Sequence, residues 1–305
     1  MARAIGLRVY RISITVKGDP KKNVPLDFSA LSTSFYDFVD QFIDQNSVAN
    51  SVAAMELTWF FDKSSGSKKM DNFGHVSYGT YGFESNFKNN KTKKVNYRRK
   101  KNDVEEIPLF FNFFFPGGKR YGLVAFQSFQ GRSCVQLVID KMKEAFEASN
   151  SDYHLRISKM MPNDANGSIF NTAPVKRLKF IKRKSSADIS DLYESDAPDP
   201  VDVELTISAR RKGSLGSFRS VAGSLRHDGV LSYGGMDFDE AVAQIRVGGK
   251  LRPVGILGNN RNAGVIDVTE SIVWGDDGHP TIESIRKESQ EILKSFSQSI
   301  GNSLS

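Results

Sequence analysis

The chain has 305 residues, 39% hydrophobic and 11% aromatic, enough to bury a substantial core and to exclude wholesale disorder. Its single cysteine, Cys134, excludes an intrachain disulfide and a multi-cysteine zinc site. The net charge of +7 is polarised: four stretches without any acid hold 23 of the 42 Lys and Arg, and the remaining 19 face all 35 acids.

Ile5–Val16 reads as a strand whose apolar residues occupy odd positions (Ile5, Leu7, Val9) and then even ones (Ile12, Ile14, Val16). That change of phase predicts a bulge or a strand covered on both faces. Arg8 and Arg11 interrupt the apolar run, so no signal-peptide core is expected, and no window reaches the roughly 20 apolar residues of a membrane span. A cytoplasmic protein is the expectation. The segment 17–25 reads as a turn-rich connection. A helix follows through Leu31, Phe35, Phe38, Val39, Phe42 and Ile43, with Ser29 as its N-cap. Strands are expected over 52–61 and 74–83, and a hairpin from 107–115 and 120–129 around Pro116-Gly117-Gly118. Cys134–Phe146 has helical spacing, which makes Cys134 a buried small hydrophobe, and Tyr153–Lys159 is a further strand.

A domain boundary is placed after the turn-rich residues 160–173, giving an N-terminal part, 1–170, and a C-terminal part, 171–305. The second part opens on a basic strand, 174–183. An acidic segment with seven acids and no base then spans 185–204. Val201, Val203, Leu205 and Ile207 alternate with polar residues as a half-buried strand does. Leu215, Phe218, Ala222 and Leu225 have helical spacing, glycine-punctuated strands fill 229–273, and Pro280 starts a last amphipathic helix through Ile285, Ile292, Leu293, Phe296 and Ile300. The expected class is α+β, with mixed, mostly antiparallel sheets and three or four helices in two parts.

The four acid-free stretches are 88–101 with eight Lys/Arg, 176–184 with six, 210–226 with five and 246–261 with four. Phosphate backbones reward such concentration, because each Lys or Arg that neutralises a phosphate releases a condensed counterion. Arginines occur in pairs suited to bidentate phosphate contacts, and Phe87, Tyr97, Phe180 and Phe218 are interleaved where they can pack on sugars or stack on bases. The expected phosphate-binding residues are Lys93, Lys94, Arg98, Arg99, Lys176, Arg177, Lys182, Arg183, Arg210, Arg211, Lys212 and Arg219. The expected partner is double-stranded DNA, held without sequence preference. The acidic segment is placed to compete with DNA for these cations.

Catalytic patterns are sparse. His75, His154, His227 and His279 lie far apart, with no metal-ligand spacing, no HExxH and no GxSxG. The glycines of 248–264 lack the phosphate-loop ending and suit hairpin turns better, so no cofactor is expected. One enzymatic alternative stays open. Asp202 and Glu204 lie on one face of an alternating strand, about 7 Å apart by strand rise, where a nuclease would place a shared Mg²⁺. A protein-interaction module is the other alternative.

Three segments carry a family resemblance: IPLFFNFFFPGGKRYGLVAFQSFQG, VDVELTISARRKGSLGSF, and the stretch from AQIRVGG to ESIRKESQEILKSF. Their order resembles that of the RexA-type phage-exclusion proteins and covers about half of the chain. The basic run at 88–101 departs from that pattern. The resemblance implies an α+β fold, a homodimer, sequence-independent DNA binding and a role in anti-phage defence upstream of a membrane or effector partner.

Overall fold

Odd and even positions of β1 (Ile5–Val16) serve two different cores. Ile5, Leu7 and Val9 belong to one buried cluster, and Tyr10, Ile12 and Ile14 to another. The phase change in the sequence therefore marks a strand covered on both faces, and its register with β9 (Gly122–Phe129) runs unbroken from Ile5 to Ile12. The same reason accounts for the continuous apolar run of β8 (Glu105–Phe114). There Phe111 and Phe113 enter one cluster and Phe110 the other.

In this computed structural model, residues 4–129, 133–160, 170–182, 202–227, 230–233, 236–257 and 264–302 are described. They form a 13-stranded sheet in which all the pairings are antiparallel. From one edge it runs β12 (Val203–Ser208), β11 (Arg177–Lys182), β16 (Glu240–Val247), β17 (Lys250–Leu257), β18 (Ile266–Asp267) and β1. It continues through β9, β8, β5 (Asp71–Thr80) and β4 (Leu57–Lys63) to β3 (Asn50–Val52). The C-terminal half of β1 also pairs with β2 (Asp19–Val24) and β10 (Tyr153–Lys159). The segment read as a turn-rich connection is thus the strand β2. Its residues are exposed except Val24, so it carries no alternation to read. Two smaller sheets stand apart: β6 (Ser85–Lys88) with β7 (Val95–Arg99), and β13 (Arg226–His227) with β14 (Val230–Tyr233) and β15 (Met236–Phe238).

Helices cover both faces, and with the antiparallel sheet they make the α+β class. On one face α1 (Phe35–Gln45) and α2 (Val135–Ser149) pack Phe35, Phe38, Phe42, Val138 and Phe146 against the sheet. The cap of α1 is Ser34, not Ser29: its hydroxyl accepts from the Asp37 amide at 3.2 Å and donates to the Asp37 carboxylate at 2.6 Å. On the other face α4 (Ile282–Asn302) buries Ile285, Ile292, Leu293, Phe296 and Ile300. A short helix, α3 (Phe218–Ser224), is capped by Ser217 and buries Phe218 and Val221.

Helix α4 joins the two halves of the chain. Asp71 of β5 accepts from Arg286 at 3.0 Å and from Gln290 at 2.9 Å, and Ser289 donates to Asn112 of β8 at 3.2 Å. Its other flank meets β17, where Arg252 pairs with Glu288. The hydrogen-bonded pairing of β18 with β1 is a second junction across the boundary expected at 170/171. The apolar face of α4 is buried within the chain. Among the described residues no helix is long and apolar enough to cross a membrane.

A candidate nucleic-acid interface

Alternation on the outer strands sets the site. Leu178 and Phe180 of β11 point into the core, so Arg177 and Lys179 point away from it. Arg177 lies between Ser208 of β12 and Gln244 of β16, its direct cross-strand partners, and its Nε donates to the Ser208 hydroxyl at 3.2 Å. Arg246, two residues beyond Gln244, shares the outward face, because Ile245 and Val247 are buried.

The chain leaving β12 folds back over this corner. The Gly213 amide donates to the Arg210 carbonyl at 2.8 Å, closing a tight turn, and Lys176 Nζ donates to the Gly213 carbonyl at 2.6 Å. Lys212 adopts the left-handed conformation at φ 62°, which costs a non-glycine residue about 1 kcal/mol. The Leu215 amide then donates to the Val175 carbonyl at 2.8 Å and the Val175 amide to the Gly216 carbonyl at 3.0 Å, which returns the chain along Pro174–Lys176.

Three of the four basic stretches meet here. A cleft of about 370 Å³ is lined by Pro174, Lys176, Arg177, Ser208, Ala209, Arg210, Arg211, Lys212, Gly213, Gln244, Arg246 and Leu251. Six of these side chains are cationic and none is acidic. Among the described residues, Arg210, Arg211 and Lys212 form no ion pair. Lys176 and Arg246 are oriented by backbone carbonyls, Arg246 through Gly249 at 2.6 Å. The arrangement is a concave, preorganised set of donors of one sign, which suits several phosphates in a row.

The comparison with known proteins adds nothing to this geometry: the chain matches no family model and no curated sequence. The site rests on its own chemistry.

The first basic stretch is held elsewhere. It forms the β6–β7 hairpin beside β5 and β8, six strands from β11 in the sheet order, roughly 30 Å at the usual strand spacing. Lys93, at φ 60°, and Lys94 are exposed at its turn. Arg98 and Arg99 do not act as a pair, because successive strand residues point to opposite faces. Arg98 is exposed and meets Glu84 at 3.3 Å. Arg99 departs from the sequence reading: it is 2% exposed and donates to the Thr80 and Asp103 carbonyls and to Glu105. Its guanidinium lies 4.0 Å over Phe83, and the residue is a structural anchor.

Lys182 and Arg219 are not part of the cleft lining, Arg219 being exposed on α3. Arg183 and the acidic residues 185–200 lie outside the described residues. Glu204 sits on the exposed face of β12, as alternation requires, and Asp202 is exposed just before the strand begins. Glu204 pairs with Lys179 across the strands at 2.6 Å, and among the described residues no group of three or more His, Cys, Asp or Glu gathers to hold a metal. Arg246 completes the cleft although sequence reasoning did not select it. Its signal was the acid-free stretch beginning there and its outward position between Ile245 and Val247.

Proposed function

We propose that this chain binds duplex DNA without sequence preference, by laying a phosphate backbone into the cleft at the β11–β12 corner. The observation that carries the reading is the convergence of Lys176, Arg177, Arg210, Arg211, Lys212 and Arg246 from three distant segments onto one concavity without an acid. Six mutually repelling cations held together destabilise the fold unless an anion compensates them, so their placement is best explained by a polyanionic ligand. Arginine side chains dominate the set, and their planar forks match phosphate oxygens two at a time. Nothing in the lining offers an aromatic slot for a base, which favours backbone contact over base reading. The biological setting we assign, phage exclusion or a related anti-phage defence, rests on the resemblance of three segments to RexA-type proteins.

The test is a binding titration of the full chain against two unrelated duplex sequences and a duplex RNA, with and without Mg²⁺. The reading expects equal affinity for the two DNA sequences, a loss of several hundredfold or more between about 50 and 200 mM salt, and DNA left intact. Absence of duplex binding at low salt, or affinity confined to one sequence, would refute it. Tighter binding to the RNA duplex would reassign the ligand, and cleavage confined to Mg²⁺ would replace binding with nuclease activity.

A further inference from the structure

The β6–β7 hairpin shows its own chemistry. Phe87 and Tyr97 are directly opposed across the two strands, with ring centroids 6.1 Å apart and planes inclined by 38°. They are 47% and 51% exposed, and Val95 beside them is 52% exposed. A two-stranded hairpin outside the main sheet has no core of its own to cover such rings. Yet the hairpin is well built. The Asn89 side chain accepts from the Lys91 and Thr92 amides at 2.9 Å each, Arg99 anchors the base, and the Tyr97 hydroxyl donates to Asp103, which fixes the ring by its edge. Around the rings, residues 83–101 carry eight Lys/Arg and one acid.

We infer that this hairpin is a second nucleic-acid contact, one that takes an unpaired strand by stacking bases on Phe87 and Tyr97 while the surrounding lysines hold its phosphates. The occupant follows from the combination: an anionic chain with flat apolar faces is the ligand that matches both the charge and the rings. A duplex does not, because its base faces are already stacked on one another. A membrane surface fits less well, since both rings lie within the strands and the apex, Asn89–Lys94, is polar and would enter a bilayer first. The inference stands on the hairpin alone and goes beyond the cleft reading. Together the two would make the chain a reader of partly unwound DNA.

The test compares oligothymidylate, a duplex and phosphatidylserine vesicles on the wild type, on Phe87→Ala/Tyr97→Ala and on Arg210→Ala/Arg211→Ala. Removing both rings is expected to weaken oligothymidylate binding by about tenfold or more, because each stacked base contributes about 1–3 kcal/mol. The salt dependence and the duplex affinity should stay as they are, since no charge is removed. A Phe87→Trp variant should show indole fluorescence quenched by oligothymidylate and not by duplex, which reads stacking in a chain with its native pairing intact. Unchanged oligothymidylate affinity, equal loss on both ligands, an unquenched Trp, or vesicle binding in place of oligothymidylate binding overturns the inference. Duplex binding lost only in the arginine variant, and oligothymidylate binding lost only in the ring variant, keep the two sites separate; failure of either one leaves the other standing.

Discussion

Arg252 of β17 and Glu288 of α4 form an ion pair in which both side chains are 2% exposed. Lys250 meets the same carboxylate at 2.5 Å, and Arg252 Nε donates to the Val247 carbonyl at 3.2 Å. The pair locks the last helix to the second-half strands, while Asp71 and Asn112 lock the same helix to the first-half strands. Helix α4 therefore holds side-chain contacts to strands of both halves of the chain.

Removing Arg252 takes away the buried partner of Glu288 and leaves that carboxylate with the more exposed Lys250 alone. Arg252→Ala is expected to destabilise the protein by about 3–5 kcal/mol, seen as a fall in the urea midpoint at unchanged slope. The double change Arg252→Met/Glu288→Leu should recover most of the loss, because an apolar pair of similar volume has no charge to desolvate. A double variant as unstable as the single one would contradict this account.

Arg98 and Arg99, adjacent in sequence, should behave as different residues. Arg98 is exposed and its pairing with Glu84 is screened, so Arg98→Ala should change stability by no more than about 0.5 kcal/mol. Arg99→Ala removes a buried, charge-assisted hydrogen-bond set and should cost about 2–3 kcal/mol. Amide exchange over β6–β7 should accelerate in the second variant alone.

Cys134 precedes α2, a position that ordinarily favours the thiolate, but burial dominates and pushes its thiol up to about 12. The native protein should therefore resist thiol reagents at pH 7 to 9, while the unfolded chain, with its pKa near 9.0, reacts increasingly. The sign for stability follows: above pH 9 the unfolded state releases this proton and the native state keeps it, so stability falls as pH rises from 9 towards 12. Labelling that is equally fast in native and unfolded protein would show that the thiol is accessible.

Where the core is concerned, much of the fold was legible. Strand β1 was readable because every second residue is apolar against a particular cover, and the change from odd to even at Val9–Ile12 recorded the change of cover itself. Helix α1 was readable in its interior but misplaced at its start. The Ser34–Asp37 spacing held the capping signal that Ser29 only imitated. Strands β2, β6 and β7 were not readable, since almost all their residues are exposed and no buried face imposes a period of two. The cleft was legible only as ingredients. Lys176, Arg210 and Arg246 are brought together by the pairing of β11 with β12 and β16 and by the turn at Lys212, which depend on contacts distant in sequence. The burial of Arg99 depends in the same way on Thr80, Glu105 and Phe83.

The cleft reading depends on charge neutralised at phosphates, and the salt dependence of duplex affinity measures that number most directly. For the wild type and Arg210→Ala/Arg211→Ala, the logarithm of the association constant is followed against the logarithm of salt concentration on two unrelated duplexes. The account predicts a slope shallower by about 2 in the variant, the same on both sequences, because each lost phosphate contact removes about 0.9 from the slope. Parallel lines for wild type and variant would contradict it and leave the cleft without a phosphate ligand.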